Sequence, residues 1–240
     1  MNRLVATVAV AGALLAGCSS TDGAATPDAS PGLSPSKSSS ASTTATAAPF
    51  TASSTDVQGL VVPQVDGGNP AAAAEFNESM QQAARDLVAR NTEGTTSNNA
   101  QSNTLEIGRK VLSGLVVATW GTPELAHPTL FVATVTVNAD DATPITLEAL
   151  FPDLGAGLRA LSAQSAELLK STSIGDDPYP SGITPEAHNF ANWLATPDGM
   201  AIYFEDGQVG AHVHGIVHVT VPWGALTDVL APDQLPIVSS

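Results

Sequence analysis

One cysteine in 240 residues, Cys18, excludes an internal disulfide, so the fold must rest on its hydrophobic core. Basic residues are also scarce: eight Lys and Arg face 23 Asp and Glu, for a net charge of −15. Such a chain has no cationic surface with which to neutralise phosphates, which excludes nucleic acid as a partner. It is equally repelled by anionic lipid headgroups, so a domain near a membrane would stand off from it. No serine sits in a G-x-S-x-G elbow and no D-x-D-x-D-G loop is present, which removes the signatures of an α/β-hydrolase and of a calcium loop. The one long apolar run, Leu4 to Leu15, is too short to span a bilayer comfortably.

That run has the form of a signal-peptide core, with Arg3 as its positive flank. It leads into Leu15-Ala16-Gly17-Cys18, which resembles the lipobox of bacterial lipoproteins. The resemblance implies cleavage after residue 17 and a lipidated Cys18, anchored to the outer face of the cell membrane or envelope. Loss of Arg3 leaves seven basic residues against 23 acidic, a net charge of −16 (7 − 23). Residues 18–54 are nearly all Ser, Thr, Ala, Pro, Gly and Asp, with Leu33 and Phe50 the only large apolar side chains. They cannot bury enough surface to offset the entropy of ordering, and a disordered tether is expected. Residues 55–240 are long enough for one packed core.

Within 55–240, Val57–Val65 reads as one extended or edge strand because of Pro63. Asn69-Pro70 opens a helix to Arg90, with Ala73, Phe76, Met80, Ala84, Leu87 and Val88 on one side. Asn91–Asn103 reads as a loop. Strands are expected at Leu105–Ile107, Val111–Trp120 and Leu130–Asn138, the last with clear alternation. Thr146 starts a short helix, and Leu154–Leu169 forms a second amphipathic one. The richest stretch is Asn189–Pro222, which holds three of the five histidines. Thr196-Pro197-Asp198-Gly199 is a turn between strands at Ala191–Leu194 and Met200–Phe204, and Pro222 ends a β-branched strand. Strands outnumber helices and short links join them, which predicts an α+β fold: a largely antiparallel sheet packed with two main amphipathic helices.

Ala126-His127-Pro128 before a strand, Ile145–Phe151, Thr196–Phe204 and Val219–Trp223 together resemble the RsiV-like C-terminal domain family and the related mycobacterial secreted antigen family. The likeness runs from about Phe50 to Ile237. It implies an extracytoplasmic α+β domain, and in the RsiV branch such a domain binds lysozyme and reports envelope stress through a membrane helix and an anti-sigma segment. With neither of those features in the sequence, binding without anti-sigma signalling is expected. The chain departs from the family near its last strand, where His212 and His218 take positions commonly aromatic or acidic.

His212, His214 and His218 share parity, so one continuous strand would project all three from one face. Two imidazoles two residues apart begin a metal site, but strand rise puts the third about 13 Å away, and no cysteine is available to help. No metal and no cofactor are expected, and the histidines stand as binding residues. Tyr179 and Trp120 are the aromatic side chains most apt to anchor a partner from a loop. The acidity suits a basic protein, lysozyme being the family's example, or a cell-wall ligand. The competing reading is a weak esterase with an unconventional Ser/His site, His127 or His188 serving as base. Asp140-Asp141 and Asp176-Asp177 are turn residues.

Overall fold

A computed structural model describes residues 48–90, 94–99, 102–125 and 127–240. Cys18, the lipobox and most of the expected tether lie outside the described residues. The chain folds as α+β, with antiparallel sheets and a few helices. Strands β1 (Thr51–Val57) and β2 (Leu60–Asp66) form a hairpin. Helix α1 (Pro70–Ala89) follows, and its Asn69 cap accepts from the Ala71 N–H at 3.1 Å. The central sheet has β5 (Val111–Gly121) in the middle. One edge of β5 pairs with β3 (Thr95–Asn98) and β4 (Thr104–Ile107) in tandem, and the other with β6 (Thr129–Asn138). Short α2 (Leu147–Leu150), capped by Thr146, and α3 (Leu154–Leu169) lead to a second sheet. Its order is β7 (Trp193–Thr196), β8 (Gly199–Phe204) and β9 (Val217–Pro222), and α4 (Leu235–Val238) ends the chain.

The period-two alternation of the strands sorts their side chains into layers. On β5, Leu112, Val116 and Ala118 meet Phe76, Met80 and Ala84 of α1 and Leu60 and Val62 of the hairpin. Leu115 and Val117 face the other way, onto Val132, Leu194 and Ala201. On β8 the opposite parity, Met200, Ile202 and Phe204, packs with Leu158, Leu161 and Leu169 of α3. The molecule is therefore helix plus hairpin, sheet, sheet, helix. Each fully buried Leu or Phe contributes about 1.5–3 kcal/mol, so three connected apolar layers hold the fold without a disulfide.

The two sheets are joined by hydroxyls as well as by apolar contact. The register of β7 on β8 turns the N–H groups of Trp193 and Ala195 away from β8. They donate to Thr134 Oγ1 at 3.0 Å and to Ser113 Oγ at 3.1 Å, and Ser113 in turn bonds Thr136 at 3.0 Å. Ser113 is fully buried, so these bonds have no competing water.

Four expectations are corrected. Val57–Val65 is two strands, turned at Gln58-Gly59, whose φ values of 53° and 85° give the tight twist of a two-residue hairpin. Gln58 is an unusual residue there, which hid the turn. Thr51–Ser54, assigned to the tether, pair with Asp66 to Pro63 as the first half of β1. Thr95–Asn98, read as loop, is β3, held by pairing to β5 and not by any apolar pattern of its own. Finally, His212–His214 is a 3-10 turn, not strand; Gly215 at φ 61° reverses the chain before β9 begins at Val217.

Candidate functional site

A trough runs between α1 and the segment that enters β7. On α1 it is lined by Ser79, Ala83, Asp86, Leu87 and Arg90, whose spacing of three and four places them in one stripe. Its floor is β6 from Val132 to Thr136, and its opposite wall is His188 to Trp193 with the turn after β8. The helix and the strand run in opposite directions: Asn69, at the start of α1, donates to the carbonyls of Ala139 and Asp140 beyond the end of β6.

The two ends of the trough differ in chemistry. One is a mainly apolar recess of about 430 Å³ between Val135, Ile145, Leu147 and Trp193, with Glu148 at its mouth. The other, about 660 Å³, holds Asp86, Arg90, Glu205 and Asp206. His188 and Ala191, both exposed, belong to both and form the stretch of wall the two ends share.

Arg90 closes the charged end. Its guanidinium donates to both carboxylate oxygens of Glu205, at 2.9 and 3.1 Å, and lies 5.0 Å over the Phe131 ring. The hydrogen bond to Glu205 raises the Arg90 pKa further above its ordinary value. The Glu205 turn is fixed by Gln208, whose side chain accepts from the Glu205 N–H and donates to the carbonyls of Gly182 and Asn189. Asp206 is nearly buried, accepts from the Leu130 N–H at 3.4 Å and faces His212 Nδ1 at 3.0 Å. Across the trough, Glu148 accepts from its own N–H and from the Thr146 hydroxyl, which lowers its pKa at the helix start.

The residues singled out from sequence are scattered. His212 pairs with Asp206 and lies tilted at 48° against His127, with 5.9 Å between ring centres, while His214 meets Ser173 at 3.2 Å. His218 is exposed on β9 and stacks on Tyr203 at 5.4 Å. The expected single face of three histidines is therefore not formed, because Gly215 breaks the strand. Among the described residues no group of three or more His, Cys, Asp and Glu is placed to hold a metal ion. Tyr179 is exposed, its N–H bonded to the Val209 carbonyl. Trp120 is half-buried, edge-on to Phe131 at 6.5 Å, and so adjoins the charged end of the trough through that ring.

A hydrolytic site would need a serine, a base and an orienting acid in line. Ser173–His214 is a serine–histidine contact, but among the described residues no carboxylate orients His214. Sequence reading singled out neither Arg90 nor Asp86 and Glu148 as site residues; for Arg90 and Asp86 the one available signal is their place in the Ser79–Arg90 stripe.

Residues 148–224 match the model of a family described as a protein of unknown function (DUF3298). The match takes in α2, α3, the second sheet and the wall of the trough from Glu148 to Gln208, but not α1 or β6. No curated protein matches the chain. Among solved structures, a DUF3298 family member from Bacteroides fragilis is similar at 13% identity, covering 79% of this chain and 94% of its own, with a TM-score of 0.45. A DUF3298 family protein from Pseudomonas aeruginosa is similar at 10% identity, covering 77% and 95%, with a TM-score of 0.44. Among the described residues no helix is long and apolar enough to cross a membrane.

Proposed function

We propose that the chain is a lipoprotein, held at the outer face of the cell membrane by a lipidated Cys18, whose domain binds a basic protein or a cell-envelope component without transforming it. One observation carries the binding part: the open trough is lined by three acidic side chains, Asp86, Glu148 and Glu205, with Asp206 nearly buried behind them, against the single cation Arg90. The acidity of the whole chain adds long-range steering toward a cationic partner. The anchor rests on the lipobox-like Leu15–Cys18 run, and lysozyme as a probe on the RsiV-like motifs.

The test is binding of the full-length protein, in detergent micelles, to a basic lysozyme at low and moderate salt. Saturable binding that persists at moderate salt supports the reading. Absence of binding, or loss at modest salt, reduces the acidity to a solubility feature. For the anchor, Cys18→Ala is expected to move the protein from the membrane to the soluble fraction; unchanged partition would remove lipidation. A second reading, weak ester hydrolysis, rests on the Ser173–His214 contact. Turnover of a p-nitrophenyl ester that Ser173→Ala abolishes would establish it, and turnover that survives would remove it.

A further inference from the structure

Resting on the binding reading, we infer that the trough takes an extended protein segment carrying an apolar side chain and, three or four residues along, a lysine or arginine. The dimensions set the length. Ser79 to Arg90 spans about 16 Å of helix at 1.5 Å per residue, which matches about five residues of extended chain. The chemistry sets the order. The recess at Val135, Ile145, Leu147 and Trp193 accepts an aliphatic or aromatic group, and the far end offers carboxylates. Flat acidic surface would attract any cation, but an apolar recess and an acidic end joined by one wall select for both features at a fixed separation.

Arg90 is the internal competitor for the basic side chain. Its two hydrogen bonds occupy both oxygens of Glu205, and its side chain is about half exposed, at 48%. An incoming cation displaces it toward solvent and takes its place on Glu205, while the exposed Asp86 keeps the end of the trough negative. Arg90 thus guards the site against weak cations and against neutral segments alike. This gives the inference a test that a merely structural ion pair would fail.

The probes are the capped hexapeptide Ser-Leu-Thr-Ser-Thr-Lys, fluorescently labelled, and two relatives with Glu for Lys and Ser for Leu. Each is titrated into the full-length protein in detergent micelles and followed by anisotropy. Saturable binding of the first peptide is expected, with at least a tenfold loss on either exchange. Arg90→Gln is expected to tighten the lysine peptide at least threefold, and Ala83→Trp, which fills the trough from a half-exposed position of α1, to abolish binding. Equal binding of the glutamate peptide, weaker binding to Arg90→Gln, or no saturable binding of the lysine peptide would overturn the inference. If lysozyme binds wild type and Ala83→Trp equally, the trough inference fails while the binding reading stands; if lysozyme does not bind and the lysine peptide does, the lysozyme probe fails and the trough stands.

Discussion

Two glycines, one in each sheet, solve the same packing problem differently. On β8, Gly199 lets backbone approach backbone: a Cβ there would lie 2.2 Å from the Val221 carbonyl oxygen of β9. On β5 the close approach is to side chains, a Cβ on Gly114 meeting Phe76 at 2.7 Å and Met80 at 2.9 Å. Phenylalanine and methionine can shift, whereas a carbonyl in a strand ladder cannot. Gly199 therefore tolerates less change than Gly114.

That comparison can be broken by substitution. Gly199→Ala should have the largest effect, a loss of about 3 kcal/mol or more in a urea titration, because nothing near Val221 can yield. A loss equal to that of Gly114→Ala would erase the distinction between the two positions. Ser113→Ala tests the joint between the two sheets. It strands the buried Ala195 N–H, and a loss of about 2 kcal/mol is expected. Gly114→Ala should lose only about 1 kcal/mol, as Met80 repacks.

Smaller effects sharpen the same picture. Burial raises the Tyr203 pKa above its ordinary value, so the folded state holds that proton more tightly than the unfolded chain. Stability should be intact below about pH 10 and fall above it, and Tyr203→Phe should flatten that alkaline fall. At the hairpin, Gln58→Asn should gain about 0.5 kcal/mol by relieving part of the strain a non-glycine residue carries at positive φ.

Legibility from sequence depended on whether an element carries its own local signal. Thr196–Gly199, Thr146, Asn69-Pro70 and the alternation of β6 are local signals, and each element they predict is present. The β1–β2 turn and β3 lacked such signals. Gln58 adopts its conformation because the strands pair around it, and Thr95–Asn98 is a strand only because β5 extends beyond β4 and leaves its edge free. The trough was less legible still. Arg90 and Glu205 lie 115 residues apart and meet only when α1 lies along β6. His212 and His214 were placed on a strand by parity, which could not anticipate the reversal at Gly215.

The hairpin also decides how the domain answers a mechanical load. Any pull arriving through the residues ahead of Thr51 acts at the open end of the β1–β2 pair, where Thr51 faces Asp66. Bonds loaded at that end fail one after another, not together in shear. The first to resist is a latch outside the ladder: the Phe50 ring packs on Gly68, where a Cβ would be 2.3 Å from it, and the Gly68 N–H donates to the Ala48 carbonyl at 2.8 Å. Once Phe50 lifts, β1 can pay out its seven residues of slack while α1 and the central sheet stay packed. A domain fixed at one end could then yield to tension without losing its trough.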